Sequence, residues 1–161
     1  MDEEYKIIRE LFLPLSDKKK TMSLSNDAAL LDCSKKLVVS TDMMVEGTHF
    51  DKSYTPYILA RKLIRVNLSD IAAMGATPYG YLLNISIPKR KGFNWIKSFV
   101  SGLRIEQDKF KIKLLGGDLS RSEKIFLSAS MYGKISNKIH MNHTAKEGSL
   151  IYVSGNLGDA S

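Results

Sequence analysis

The chain has 161 residues, 43% of them hydrophobic, and its 24 Lys and Arg against 17 Asp and Glu give a formal net charge of +7. That is enough apolar material for one buried core and one domain, while no apolar run approaches the roughly 18 residues a membrane-spanning helix needs. The start, Met1-Asp2-Glu3-Glu4-Tyr5-Lys6, lacks the basic-then-apolar order of a secretory signal, and the single cysteine, Cys33, excludes an internal disulfide framework and fits a reducing cytoplasm.

Residues 3–13 read as a short amphipathic helix with Ile7, Ile8, Leu11 and Phe12 on one face, and Lys18 to Asp27 as a polar loop. Leu37 to Thr41 is a compact strand that delivers Asp42 at its C-terminal end. Pro56 opens a helix running to about Met74, closed by Gly75 and Pro78, with Leu59, Leu63, Val66 and Ile71 as its buried stripe. Tyr81 to Ile87 is a second strand, stopped by Pro88. Phe93 to Lys109 reads as a helix with Phe93, Ile96, Val100 and Leu103 on one side. Lys111 to Leu115 is a third strand feeding directly into Gly116-Gly117-Asp118, Ile125 to Gly133 a fourth, and Leu150 to Ser154 a fifth. Helices alternate with strands over the first two thirds, then strands follow one another, which predicts an α+β domain with a mixed sheet.

Four acids, Asp27, Asp42, Asp70 and Asp118, each stand in a short neutral run of small, hydroxyl or apolar residues. Carboxylates gathered without cationic partners repel one another, and several kept together need a bound cation. Hard oxygen ligands without Cys or His favour magnesium, manganese or calcium over zinc. Gly116-Gly117 lets backbone approach a phosphate, with Asp118 beside it for a metal; the competing reading is a glycine turn with a self-capping Asp. Ser40-Thr41-Asp42 places two hydroxyls and a carboxylate at a strand end, or simply ends the strand. Asn67 and Asp70 share one helix face if the helix is continuous, whereas Ser69-Asp70 capping a new segment is the alternative. Asp27 reads equally as a turn residue.

The positive charge clusters at Lys18-Lys19-Lys20, at Lys89-Arg90-Lys91 and between Lys109 and Lys113, without interleaved aromatics. Solubilising surface and edge protection explain these better than nucleic-acid binding. No phosphate-binding Gly-x-x-x-x-Gly-Lys-Ser/Thr occurs, since Gly133-Lys134-Ile135-Ser136 lacks the upstream glycine. Protein-kinase motifs and the nucleophile elbow are missing too. His140 and His143 have no acid or Cys to complete a zinc set.

Three stretches, Ser40-Thr-Asp-Met-Met-Val-Glu-Gly-Thr-His-Phe50, Val66-Asn-Leu-Ser-Asp-Ile-Ala-Ala-Met-Gly-Ala76 and Leu115-Gly-Gly-Asp118, resemble thiamine-monophosphate kinase in order and spacing. That family belongs with aminoimidazole-ribonucleotide synthetase and selenophosphate synthetase. The resemblance implies a mixed sheet with helices packed on one side, whose strands join a second subunit in a dimeric barrel. It implies magnesium-dependent transfer of the ATP γ-phosphate to thiamine monophosphate by direct attack, with no catalytic side chain beyond positioning and metal ligands. Asp27, Ser40, Thr41, Asp42, Asp70 and Asp118 would hold magnesium, Gly116 and Gly117 would lie against ATP, and His49 would contact thiamine monophosphate. Residues 1–150 would be the metal- and ATP-binding domain, and 151–161 the start of the crossing into a second domain.

Two departures from the pattern concern the site. The family's Gly-Ile-Gly-Asp-Asp is here Ser23-Leu24-Ser25-Asn26-Asp27, and a nucleotide-contacting Arg corresponds to Asn142. A catalytically inactive remnant or dimerisation module is the competing function, and a basic nucleic-acid binder a third.

Overall fold

The computed structural model describes residues 3–24, 28, 29, 31, 34, 36–135, 138–141, 143 and 145–153. Helix α1 (Glu3–Ile7) runs into a π turn (Ile8–Phe12) and a 3-10 turn (Leu13–Leu15), so the single N-terminal helix expected from the periodicity changes its winding at Ile8, and Pro14, without a backbone donor, stands in the final turn. Then follow β1 (Leu37–Val45), α2 (Pro56–Ala73), β2 (Ala76–Ile87), α3 (Gly92–Phe110), β3 (Lys113–Arg121) and β4 (Phe126–Ile135). The sheet order is β1-β4-β2-β3; β4 pairs antiparallel with β1 and β2, and β2 with β3 is parallel, α3 supplying the crossover. The expected mixed α+β sheet is therefore present.

Strand alternation divides the sheet into a core face and an open face. Val38 and Met44 of β1, Tyr81, Leu83, Ile85 and Ile87 of β2, and Leu127, Ala129 and Met131 of β4 are buried. On the other side of β1, Val39 and Met43 are each 57% exposed. Helix α2 starts with Thr55 Oγ1 accepting the Ile58 N–H at 3.3 Å and with Pro56 in its first turn. It lies across β1, β4 and β2, and α3 packs against it. The α2 stripe is wider than predicted: Leu59, Leu63 and Ile71 are buried as expected, but Val66 is only half-buried and Asn67 is fully buried.

Two devices seat α2 on α3. A methyl group at Gly102 would come within 2.3 Å of the Tyr57 carbonyl oxygen, so only glycine permits the helices this closely. Beneath that crossing Glu106, 0% exposed, accepts from Arg61 Nε at 2.8 Å and from Arg65 Nε at 3.0 Å, with Arg65 Nη2 at 2.9 Å. Burial pushes the Glu106 carboxyl up, but the hydrogen bonds and charges of Arg65 and Arg61 outweigh that and hold it below its ordinary 4.5. On the far side of α3, Gln107 Nε2 donates to the Leu15 carbonyl at 3.0 Å and to the Tyr81 hydroxyl at 3.1 Å, tying the N-terminal turns to the sheet.

Three sequence expectations change in the folded chain. Strand β1 continues to Val45 because β4 offers partners as far as Phe126, so Asp42 stands mid-strand rather than at a strand end. Gly116-Gly117-Asp118 lies inside β3 rather than in a loop after it. Leu150 to Val153, expected as most of a fifth strand, form no strand and are 64–93% exposed; four apolar residues without a sheet edge beside them have nothing to pair with.

Because Glu106 is depressed in the folded state, its contribution is complete above about pH 4.5 and is lost as pH falls through the folded value. Replacing Glu106 with Gln should cost about 2 kcal/mol at neutral pH, after allowance for the partly exposed arginines. Thermal melts of both proteins from pH 7 to pH 3 should converge at the acid end; parallel curves would contradict the charged clamp.

Candidate metal and phosphate site

Ser40 and Asp42 alternate onto the core side of β1, and Asp70 belongs to the last turn of α2, which is continuous through it. Ser40 Oγ donates to Asp70 Oδ2 at 2.5 Å. Helix α2 runs antiparallel to β1: near its start Lys62 Nζ donates to the His49 carbonyl at 3.1 Å, past the end of β1, and near its finish Asp70 meets Ser40. Asp42, between those points, therefore lies abreast of the α2 turn that precedes Asp70. Asp42 is half-buried and Asp70 exposed, and neither forms an ion pair with a described cationic side chain.

The other expected ligands stand elsewhere. Thr41 faces the open side, where its Oγ1 donates to the Ala129 carbonyl and accepts from Ser130, both at 3.1 Å. The register runs Asp42, Ala129, Leu83, Gly117 across the sheet, so Asp118 falls one residue further and on the open face beside Asn84. Three strand spacings put β3 about 14 Å from β1. Among the described residues no three His, Cys, Asp or Glu side chains gather to hold a metal ion, so the single chain does not bring Asp118 to Ser40, Asp42 and Asp70. Asp27, like Cys33 and Asn142, lies outside the described residues.

Gly116 and Gly117 have φ of 152° and 153°, which residues with a side chain rarely adopt. A Cβ on Gly117 would sit 1.8 Å from the Leu83 carbonyl oxygen. This close approach of β3 to β2 forms one wall of a cavity of about 190 Å³, closed by Ile8, Phe12, Leu24 and Ala29 and bordered by Asp118. Among the described residues the cavity lining is mostly apolar.

His49 occupies a tight turn after β1. Its Nδ1 accepts the Val45 N–H at 3.1 Å and its own N–H donates to the Val45 carbonyl at 3.0 Å. That assignment leaves Nε2 as the donor of the neutral ring, on an exposed side chain. Phe50, 5% exposed, anchors the turn and meets Tyr54 edge-on at 6.4 Å. In the following loop Asp51 is held below its ordinary range by hydrogen bonds from the Ser53 hydroxyl and N–H.

Two carboxylates and a hydroxyl, all hard oxygen donors and without an ion-pair partner among the described residues, fit magnesium or manganese. The N-terminal loop fits less well: Ser23, which replaces a glycine of the related pattern, sits at φ 59°, a left-handed conformation that costs a residue with a Cβ about 1 kcal/mol.

The mixed sheet carries the oxygen donors Ser40 and Asp42 on one edge strand and paired glycines on the other. The family described as AIR synthase related protein, N-terminal domain, matches residues 25–135, and the chain belongs to it. Within that class the sequence is similar to thiamine-monophosphate kinases. It is 40% identical over 163 residues to the one from Buchnera aphidicola subsp. Schizaphis graminum, covering 98% of this chain and 50% of that protein. The crystal structure of thiamine monophosphate kinase from Aquifex aeolicus superposes with a TM-score of 0.63 at 33% identity, over 76% of this chain and 41% of that one. A further structure, AaThiL complexed with AMPPCP and TMP, superposes with a TM-score of 0.61 at 32% identity, over 71% and 39%. The chain spans about half the length of the curated relatives it matches.

Replacing Gly117 with Ala should separate β3 from β2 and lower stability by about 3 kcal/mol, more than the roughly 1 kcal/mol expected for Gly116 to Ala, whose Cβ meets only Leu82 at 3.4 Å. Urea denaturation of the two variants checks the order; equal losses would mean that β3 yields without cost.

Proposed function

We propose that this chain is the N-terminal, metal- and ATP-binding half of a thiamine-monophosphate kinase, which transfers the γ-phosphate of ATP to thiamine monophosphate and gives thiamine diphosphate. The observation that carries the reading is the contact of Ser40 with Asp70 beside Asp42, an oxygen-only set free of cationic partners, in a chain 40% identical to such an enzyme. Residues 1–150 are the domain that carries this set, and 151–161 begin the crossing into a second domain. The enzyme works in the cytoplasm; among the described residues no helix is long and apolar enough to cross a membrane.

Bound magnesium would neutralise phosphate oxygens, the main requirement of phosphoryl transfer. Ser40, Asp42 and Asp70 hold one ion from the core side of β1, Thr41 and Asp118 serve another on the open face, and Asp27 adds a further oxygen. Gly116 and Gly117 admit the nucleotide close to backbone along β3. The attacking oxygen belongs to a phosphate that is already anionic, so no side chain has to remove a proton. His49, whose ring accepts the N–H of Val45 three residues and about 10 Å of strand beyond Asp42, orients thiamine monophosphate through its exposed ring N–H.

The separation of Asp118 from Thr41 across the open sheet face supports a homodimer. Thr41 and Asp118 share the open sheet face, about 14 Å apart across it, and the same face exposes Val39 and Met43. A second copy covering that face buries both apolar side chains and brings an acid of its β3 towards β1 of the first.

Asp42→Ala and Asp70→Asn should each weaken magnesium-dependent ATP binding at least tenfold by calorimetry, and undiminished binding in both variants would remove the site. Light scattering should give twice the chain mass for the unaltered protein, and the double change Val39→Lys, Met43→Glu should return it to one chain mass without loss of helical signal. A monomer before substitution would refute the dimer.

A further inference from the structure

Two buried side-chain oxygens among the described residues have no hydrogen-bond partner, and one of them is Asn67 Oδ1. Asn67 is 0% exposed. Its Nδ2 donates to the Leu63 carbonyl at 3.0 Å, four residues back along α2. That bond fixes the amide, because turning it over would set two acceptors against each other. Asp70 follows one turn later on the same helix face. An orphaned buried oxygen costs about 1–3 kcal/mol, and leucine would fill the position without that cost. Its neighbourhood is the strip between α2 and β1 where Ser40 meets Asp70 and where Asp42 lies abreast of the preceding turn.

We propose that Asn67 is a positioning residue of the cation site: its Oδ1 accepts a hydrogen bond from a water on the divalent ion held by Ser40, Asp42 and Asp70. The inference rests on the metal-binding reading above. Magnesium and manganese keep several waters when bound by few carboxylates, and a buried acceptor beside them fixes the orientation of that shell. The orphan is thus satisfied only in the loaded protein, and the energy missing from the unloaded fold is regained on binding.

The test uses Mn²⁺ as probe on the full chain, with affinity measured by electron paramagnetic resonance and melting temperature measured with and without the ion. Asn67→Leu should weaken Mn²⁺ about tenfold while leaving the melting temperature without metal unchanged or higher. Asn67→Asp, which keeps the acceptor and adds a charge facing the ion while setting a carboxylate oxygen against the Leu63 carbonyl, should melt lower without metal, bind Mn²⁺ more tightly than the unaltered chain and gain more melting temperature from it. The second variant also decides the matter if the first does not fold. Unchanged affinity in the Asp variant, or in a folded Leu variant, while Asp70→Asn abolishes binding, would overturn the role of Asn67 and leave the cation site standing. Failure of the unaltered chain to bind Mn²⁺ would remove both.

Discussion

Where α2 lies decides where the chemistry lies. The helix carries Asp70 and Asn67 on the face turned to the sheet, and their distance from β1 follows from how α2 is seated. Below, its apolar stripe from Leu59 to Ile71 packs on β1, β4 and β2. At its side Gly102 lets α3 touch its backbone, and Glu106 joins Arg61 and Arg65 from the neighbouring turns. A residue larger than glycine at position 102 or an unpaired Glu106 would tilt α2, and Asp70 would leave Ser40. A buried ion triad contributes little net stability, because desolvation offsets most of the attraction; here its geometry matters more, since it fixes one helix against another.

The electrostatics of the domain have a consistent direction. Cations are abundant, yet the acids that matter are left without them: Arg61 and Arg65 are committed to Glu106, Lys20 lies 4.5 Å from the Tyr79 ring and 3.5 Å from Asp17, and Lys62 reaches the His49 carbonyl. None of Asp42, Asp70 and Asp118 forms an ion pair with a described cationic side chain. The same economy explains the open sheet face, where small hydroxyl and amide side chains (Thr41, Asn84, Ser128, Ser130) separate the acid at one edge from the strand at the other.

Much of this was legible in the residues. Period-3.6 apolar spacing gave α2 and α3 to within a residue or two, and the flanking proline and glycine set their ends, because local backbone chemistry determines both. Strand lengths were not legible: β1 and β3 were read as stopping at the first polar or glycine-rich residues, Thr41 and Leu115, yet each continues because neighbouring strands supply hydrogen bonds that no local pattern encodes. The Ser40 and Asp70 contact spans 30 positions and was approached only through resemblance. Asn67 was visible as a companion of Asp70 on a helix face, but its burial depended on β1 lying beneath it. Leu150 to Val153 show the converse, a strand-like pattern that forms nothing where no partner strand adjoins it.

The sequence by itself determined the class of fold, the two long helices and the family, because these depend on residue type and short spacing. Only the tertiary structure decided which acids meet. Strand alternation and register set Ser40 and Asp42 towards α2 and Asp118 away from it, on opposite faces and opposite edges of one sheet. A side chain's face is fixed by a two-residue period propagated through hydrogen-bonded neighbours, and those neighbours are distant in the chain.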